Sequence, residues 1–202
     1  MLLIMDVAES IDQADLVGEL VARRQQVSPK RLIDPGPTST QVAALWKAAA
    51  QAPDHGLILP WRFVRVSDAA RDRLATAFEQ ALIERDPRAT ATQRDDARAK
   101  AARAPFLALA IARLDGDGHP EIPCTERLVS LGCALQNMLL MAQAQGFGAG
   151  LVSGQAMNST ALRAMFSLAP NEKAICFLVI GTVSRAKCNR QRPAAEDFVT
   201  AL

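Results

Sequence analysis

The stretch TERLVSLGCALQNMLLMAQAQ, residues 125–145, decides the fold. Apolar and small side chains occupy nearly its whole circumference after the first turn, which a helix lying on a surface does not need. The spacing therefore predicts a core helix, a subunit interface, or both. GFGAGLVSG follows at 146–154, with Leu151 and Val152 starting a short strand and Asn158 capping a helix to about Phe166. AICFLVIGTV at 174–183 reads as a strongly apolar strand, and the tail DFVTAL at 197–202 as an edge strand.

Upstream of the long helix, DGDGHPEIP at 115–123 is a connection, and Pro105 introduces FLALAIA at 106–112, a strand-length apolar run of the kind buried on both faces. Residues 85–104 read as exposed loop and helix, and a helix runs from Ser67-Asp68 to about Glu84. WRFVRV at 61–66 is a short strand entered from the loop APDHGLILP at 52–60, whose two prolines and glycine leave side chains free to face a ligand. Thr38-Ser39-Thr40-Gln41 is a capping-box pattern opening a helix to about Gln51. Apolar residues Ile11, Leu16, Val17, Leu20 and Val21 recur at helical spacing and end on Arg23-Arg24. Helices first, then strands alternating with helices, predict an α+β fold or three-layer sandwich rather than a doubly wound sheet.

The chain has 202 residues, half of them hydrophobic, with no linker rich enough in Gly, Ser or Pro to divide it, so residues 1–202 are read as one domain. Its 23 basic and 21 acidic residues leave a formal charge of +2, which excludes broad attraction to nucleic acid or membranes. MLLIMDVAES has neither a basic n-region nor a long apolar run, and a cytoplasmic location is expected. Cys124, Cys133, Cys176 and Cys188 are scattered and only His55 and His119 are available beside them, so buried thiols are expected and no metal.

Familiar catalytic patterns are missing. The glycines at 146, 148, 150 and 154 follow a helix and do not make G-x-G-x-x-G; GLVSG is not a nucleophile elbow; there is no Walker A loop. Arg23-Arg24-Gln25 has two readings, a phosphate clamp of paired guanidinium forks or a complement to the helix C-terminal dipole. Asp54-His55 likewise reads either as a ligand-facing histidine with its tautomer fixed by Asp54, or as an Asx-type turn. Trp61 and the six methionines read as core packing, and Asp115, Asp117, His119 and Glu121 as a solvated loop.

Taken in order, Arg23-Arg24, Ala52-Pro53-Asp54-His55 before Pro60-Trp61, the apolar helix, GFGAGLVSG, IGT at 180–182 and FVT at 198–200 carry a resemblance no single member has. The chain resembles the nitroreductase-like flavoproteins, and within them the YdjA-like branch, from Leu16 to Thr200. The resemblance implies a three-layer α/β/α sandwich with a mixed, mostly antiparallel sheet. It also implies an interlocked homodimer with FMN at the subunit interface, and NADH or NADPH reducing FMN in a ping-pong cycle with a small-molecule acceptor such as a nitroaromatic or quinone. Alternatives within reach of the same fold are a flavin-binding or storage protein with little turnover and a specialised flavin-dependent dehydrogenase or deiodinase-like enzyme.

Carried over by position, Arg23, Arg24 and Gln25 match an Arg-Arg-Ser that holds FMN, with the serine replaced. His55 matches a flavin-contacting histidine and Gln51 its preceding helix position. Leu151, Val152 and Ser153 match Trp-Arg-Ser beside the cofactor, and Leu59 stands where glutamine is frequent, so the cleft is less polar than in better-known members. Met141, Ala142, Gln143, Ala144, Gln145 and Gly146 match a nicotinamide-nucleotide stretch, and Lys187, Arg190 or Arg192 are candidates for a further phosphate partner.

Overall fold

FLALAIA carries no charge and no polar side chain, so a strand built from it is stable only when both faces are covered. In the computed structural model, which describes the backbone of residues 7–116, 118–186 and 191–202, that run forms the centre of a five-stranded sheet. The helices are α1 (Val7–Arg23), α2 (Ser39–Ala49), α3 (Arg71–Arg85), α4 (Ala91–Ala99), α5 (Cys124–Ala144) and α6 (Thr160–Met165). The strands are β1 (Leu32–Ile33), β2 (Trp61–Arg65), β3 (Phe106–Arg113), β4 (Gly148–Val152) and β5 (Glu172–Val183). β3 pairs with β2 on one side and β5 on the other, while the far edge of β5 is shared by β4 and β1. All these pairings are antiparallel, and a parallel bridge between Gln26 and Ala149 supplies the mixed character.

The alternation along β3 sorts the core into two layers. Phe106, Ala108, Ala110 and Ala112 face α2 and α5, packing with Val42, Leu45, Leu131, Leu135 and Met138. Leu107, Leu109 and Ile111 face the other side, with Leu74 of α3, Leu162 of α6 and Phe177. The alanine face lets α2 and α5 approach the sheet, as the anticipated three-layer sandwich requires. α5 buries Leu131, Ala134, Leu135, Met138, Leu139 and Ala142 on one side and exposes Leu128 and Val129 on another. Trp61 is in the core, its Nε1 donating to Ser130 Oγ at 3.0 Å. No helix among the described residues is long and apolar enough to cross a membrane.

Local chemistry explains where elements start, stop and depart from expectation. Thr38 and Gln41 form the anticipated capping box, and an unanticipated second one, Thr90 with Gln93, opens α4. α2 stops at Ala49, with Gln51 N donating to Ala48 O in a tightened turn. Ser159, not Asn158, caps α6, because its Oγ accepts from Leu162 N at 3.1 Å. Leu151 and Val152 end β4 rather than start it. The tail forms no strand: Ala195–Asp197 is a 3-10 turn whose backbone donors are used locally, Phe198 N and Val199 N both reaching Ala195 O. Of the cysteines, only Cys176 among those described is buried, and burial pushes its thiol up to about 11; Cys124 is exposed at the start of α5, Cys133 is half-buried, and Cys188 lies outside the described residues.

The lower end of the sheet is tied by Glu172, only 7% exposed. It accepts from Arg62 Nε at 2.7 Å, Arg62 Nη2 at 2.8 Å and Ala169 N at 3.1 Å, with Arg113 Nε 3.8 Å away. The Arg62 hydrogen bonds outweigh burial and hold this carboxyl below its ordinary value. A depressed carboxyl contributes stability that is present above its ordinary value near 4.5 and is lost as pH falls through the folded value. Glu172→Gln should therefore lower stability by about 2 kcal/mol near neutral pH, and urea titrations should show the gap to the parent chain closing on acidification. A second test concerns β4. A Cβ on Gly150 would sit 2.5 Å from Val27 O and 2.9 Å from Gln26 Nε2, whereas at Gly154 nothing lies within 4 Å. Gly150→Ala should destabilise by about 1–3 kcal/mol in thermal melts, and Gly154→Ala should melt with the parent.

Candidate functional site

α1 ends on a pair of guanidinium groups because Arg24 N closes its last turn on Leu20 O at 3.2 Å. Arg23 pairs with Glu19 one turn back at 3.0 Å, in solvent, where such a pair contributes little. The chain then turns along the outside of β4. Val27 N donates to Ala149 O at 2.9 Å, and the Gln26 carboxamide makes two bonds to one residue, Nε2 to Leu151 O at 2.6 Å and Leu151 N to Oε1 at 3.0 Å. This latch ties the segment that follows Arg23, Arg24 and half-buried Gln25 to Leu151, the chain neighbour of Val152 and Ser153. It depends on Gly150, whose missing side chain admits the Val27 carbonyl. The tail reaches the same place, Arg192 Nη2 donating to Arg24 O at 3.4 Å; Lys187 and Arg190 lie outside the described residues.

A cavity of about 530 Å³ opens beside Val152, Ser153 and Gly154, between β4, α3 and α4. Phe78, Leu107, Phe177 and Val179 give it an apolar floor, and Arg85, Lys100 and Arg103 contribute cations against the single acid Asp96. The volume is that of a small-molecule cleft. Among the described residues, no three His, Cys, Asp or Glu side chains converge as a metal set.

The second predicted cluster lies elsewhere. His55 sits in a short 3-10 turn, with Gly56 at φ +70° and Leu57 and Leu59 also left-handed at +53° and +46°. Asp54 does not fix the histidine: its Oδ2 accepts from Leu59 N at 2.8 Å and closes the loop. Instead His55 Nδ1 lies 2.8 Å from Glu126 Oε2, in the first turn of α5. Gln51 is exposed in the turn that follows α2.

These two clusters do not converge within one chain. Gly150 stands opposite Val179 on β5, while Ala112, the neighbour of Trp61, stands opposite Lys173. Six residues of strand separate those two levels, or about 20 Å. The stretch Met141–Gly146 ends α5, antiparallel to α2. Ala142 is wholly buried, while Gln145 donates its Nε2 to Gln41 O at 3.1 Å and keeps its buried Oε1 without a partner among the described residues.

Three residues or groups of this arrangement were not anticipated from sequence: Gln26, Glu126, and the cations Arg85, Lys100 and Arg103. Gln26 stands next to the recognised Arg23-Arg24-Gln25, but its partner is 125 residues away. The cations scatter over a segment read as solvent-exposed.

The arrangement has relatives. A protein of Haemophilus influenzae named "Putative NAD(P)H nitroreductase" is 33% identical over 176 residues, 87% of this chain and 94% of its own. One of Escherichia coli carrying the same name with the suffix YdjA is 33% identical over 183 residues, 90% of this chain and 97% of its own. Among solved structures, a nitroreductase-like family protein from Bacillus cereus superposes with a TM-score of 0.80 at 18% identity, covering 92% of this chain and 95% of the other. The FMN-dependent nitroreductase NfnB from Mycobacterium smegmatis, solved with NADPH, gives 0.70 at 17% identity over 95% and 100% of the two chains. A Bacteroides fragilis nitroreductase solved with bound FMN gives 0.68 at 16% identity over 92% and 98%. The Nitroreductase family model matches residues 26–182, and with its relatives in agreement the chain belongs to the Nitroreductase family.

Proposed function

We propose that the protein is an FMN-dependent oxidoreductase that takes electrons from NADH or NADPH and passes them, in a ping-pong cycle, to a small acceptor such as a nitroaromatic or a quinone. The observation that carries this reading is the Gln26 latch, which ties the segment following Arg23-Arg24 to Leu151, the chain neighbour of Val152 and Ser153 at an apolar-floored, cation-lined cavity. That donor set fits a flavin mononucleotide: Arg23 and Arg24, with Arg192 from the tail, suit a phosphate dianion, and the cavity suits a flat, largely apolar ring with a polar edge. FMN supplies the redox chemistry when bound, so the chain needs neither a triad nor a metal. Its own residues hold the phosphate through Arg23 and Arg24, shape the cleft through Leu151 and Val152, and offer Ser153 to the polar edge. The end of α5, Met141–Gly146, is the stretch offered to the nicotinamide nucleotide, with Ala144 and Gly146 exposed.

His55 and Gln51 join the same flavin only if a second copy brings them, since about 20 Å of sheet separates the two clusters in one chain. A homodimer supported by exposed Leu128 and Val129 on α5 and Leu16, Val17 and Val21 on α1 meets that need. The apolar replacements Leu59, Leu151 and Val152 favour one other reading, a flavin-holding protein with little turnover.

A visible spectrum followed by anaerobic NADPH or NADH separates these. Flavin bands that bleach with either nucleotide are expected. Bands that persist assign the holding role, and a preparation that neither carries nor takes up FMN overturns both. Arg23→Ala should weaken FMN binding by on the order of tenfold or more through loss of a charge-assisted contact, while Asp115→Ala, on an exposed loop, should not. Equal dissociation constants for the two variants would reject the phosphate placement.

A further inference from the structure

Both histidines of the chain are found at one place, the entrance to α5, each against a glutamate. His55 Nδ1 lies 2.8 Å from Glu126 Oε2, and His119 Nδ1 lies 3.0 Å from Glu121 Oε1. The groups lie close enough to share a field. The Glu121 carboxyl is held below its ordinary value, first by its own backbone N–H, then by the His119 hydrogen bond, with the charges of His119 and His55 adding. Asp54 accepts from Leu59 N through Oδ2 and keeps a buried Oδ1 without a hydrogen-bond partner among the described residues, and Arg127, itself buried, donates Nε to Ile122 O at 3.0 Å and Nη2 to His119 O at 2.9 Å. Glu126 is thus the acid in direct contact with the His55 ring.

The hydrogen bond fixes which ring nitrogen is available. A carboxylate only accepts, so a neutral His55 beside Glu126 carries its proton on Nδ1 and presents Nε2 as the atom that gains and loses a proton. The side chains are 64% and 50% exposed in one chain, so Nε2 has an open side to present to a ligand. The loop that carries it is stiffened by the Asp54–Leu59 closure.

We infer that His55 Nε2 delivers a proton to the electron acceptor and that Glu126 is the positioning residue that sets its tautomer. The inference rests on the reading above, in which the second chain brings this loop to the flavin. For a quinone the balance is simple. Its reduction to a hydroquinone takes up two electrons and two protons; the electrons and one proton originate from NAD(P)H by way of FMN. The second proton passes from protonated His55 Nε2 to the carbonyl oxygen, and His55 recovers it from water.

The test has a readout independent of turnover. Long-range 1H–15N correlation of the imidazole nitrogens at alkaline pH, in the full-length protein, should show His55 protonated on Nδ1, and Glu126→Ala should shift it toward Nε2–H, since no carboxylate is then left to accept from Nδ1. Glu126→Asp should restore the Nδ1–H form at least in part. In stopped-flow measurements with a benzoquinone acceptor, Glu126→Ala should reduce the ratio of flavin reoxidation rate to NADPH reduction rate by about tenfold or more. A parent protein with His55 on Nε2, or a tautomer indifferent to Glu126→Ala, overturns the inference even where FMN binds and bleaches. Correct tautomers with an unchanged rate ratio overturn the proton delivery. Failure of the parent to bind FMN instead overturns the functional reading, whatever the tautomer.

Discussion

A strand with no side facing water has to be paired along both edges and covered on both faces, and β3 imposes that requirement on everything around it. Its side chains from Phe106 to Ala112 are all buried, so its backbone donors and acceptors have no recourse to solvent and must be met by β2 and β5. The covering layers follow from the same residues. Alanines at 108, 110 and 112 draw α2 and α5 onto one face, and Leu107, Leu109 and Ile111 require α3 and α6 on the other. Each unit of apolar area hidden this way stabilises by about 25 cal/mol per Å², which is why the order of elements along the chain is settled around β3 rather than at the edges.

The edges are where the proposed site lies. Because β3 occupies one side of β5, the other side is left to β4 and β1, and the segment leaving α1 finds its own place outside β4. That makes a rigid sheet the ruler for Arg23 and Arg24, two long side chains that α1 alone would leave on a solvent-facing helix end. The opposite end of the same sheet carries Trp61, Glu172 and the His55 loop, so its length also keeps the two clusters apart in one chain.

Much of this was legible in the residues. β3, β5 and α5 announce themselves through uninterrupted apolar runs, and the Thr38 box through its spacing, because those signals are local or depend only on burial. The departures have a common physical origin in competition that a linear reading does not contain. Ser159 outcompetes Asn158 for the cap because its hydroxyl is the one in reach of Leu162 N. The tail, although apolar at Phe198 and Val199, spends its backbone donors in a local turn. For the site, Arg23-Arg24 and His55 stood out through their order along the chain. Gln26 and Glu126 did not, since their worth depends on partners brought close only by folding, Leu151 in one case and His55 in the other. Asp54 shows the converse: adjacency in sequence suggested the histidine, but the loop's own Leu59 N–H claims its carboxylate.

Leu57 and Leu59 both hold left-handed backbone conformations that a β-carbon disfavours by roughly 1 kcal/mol each, and Leu57 is 88% exposed. In a mutant library sorted for heat resistance, glycine and asparagine would be enriched at these two positions for reasons of backbone geometry alone. The same sorting would strip the rim beside His55 of its two oily side chains. An engineering programme on this scaffold that screens first for robustness would thus discard, at its first step, the apolar character of this loop.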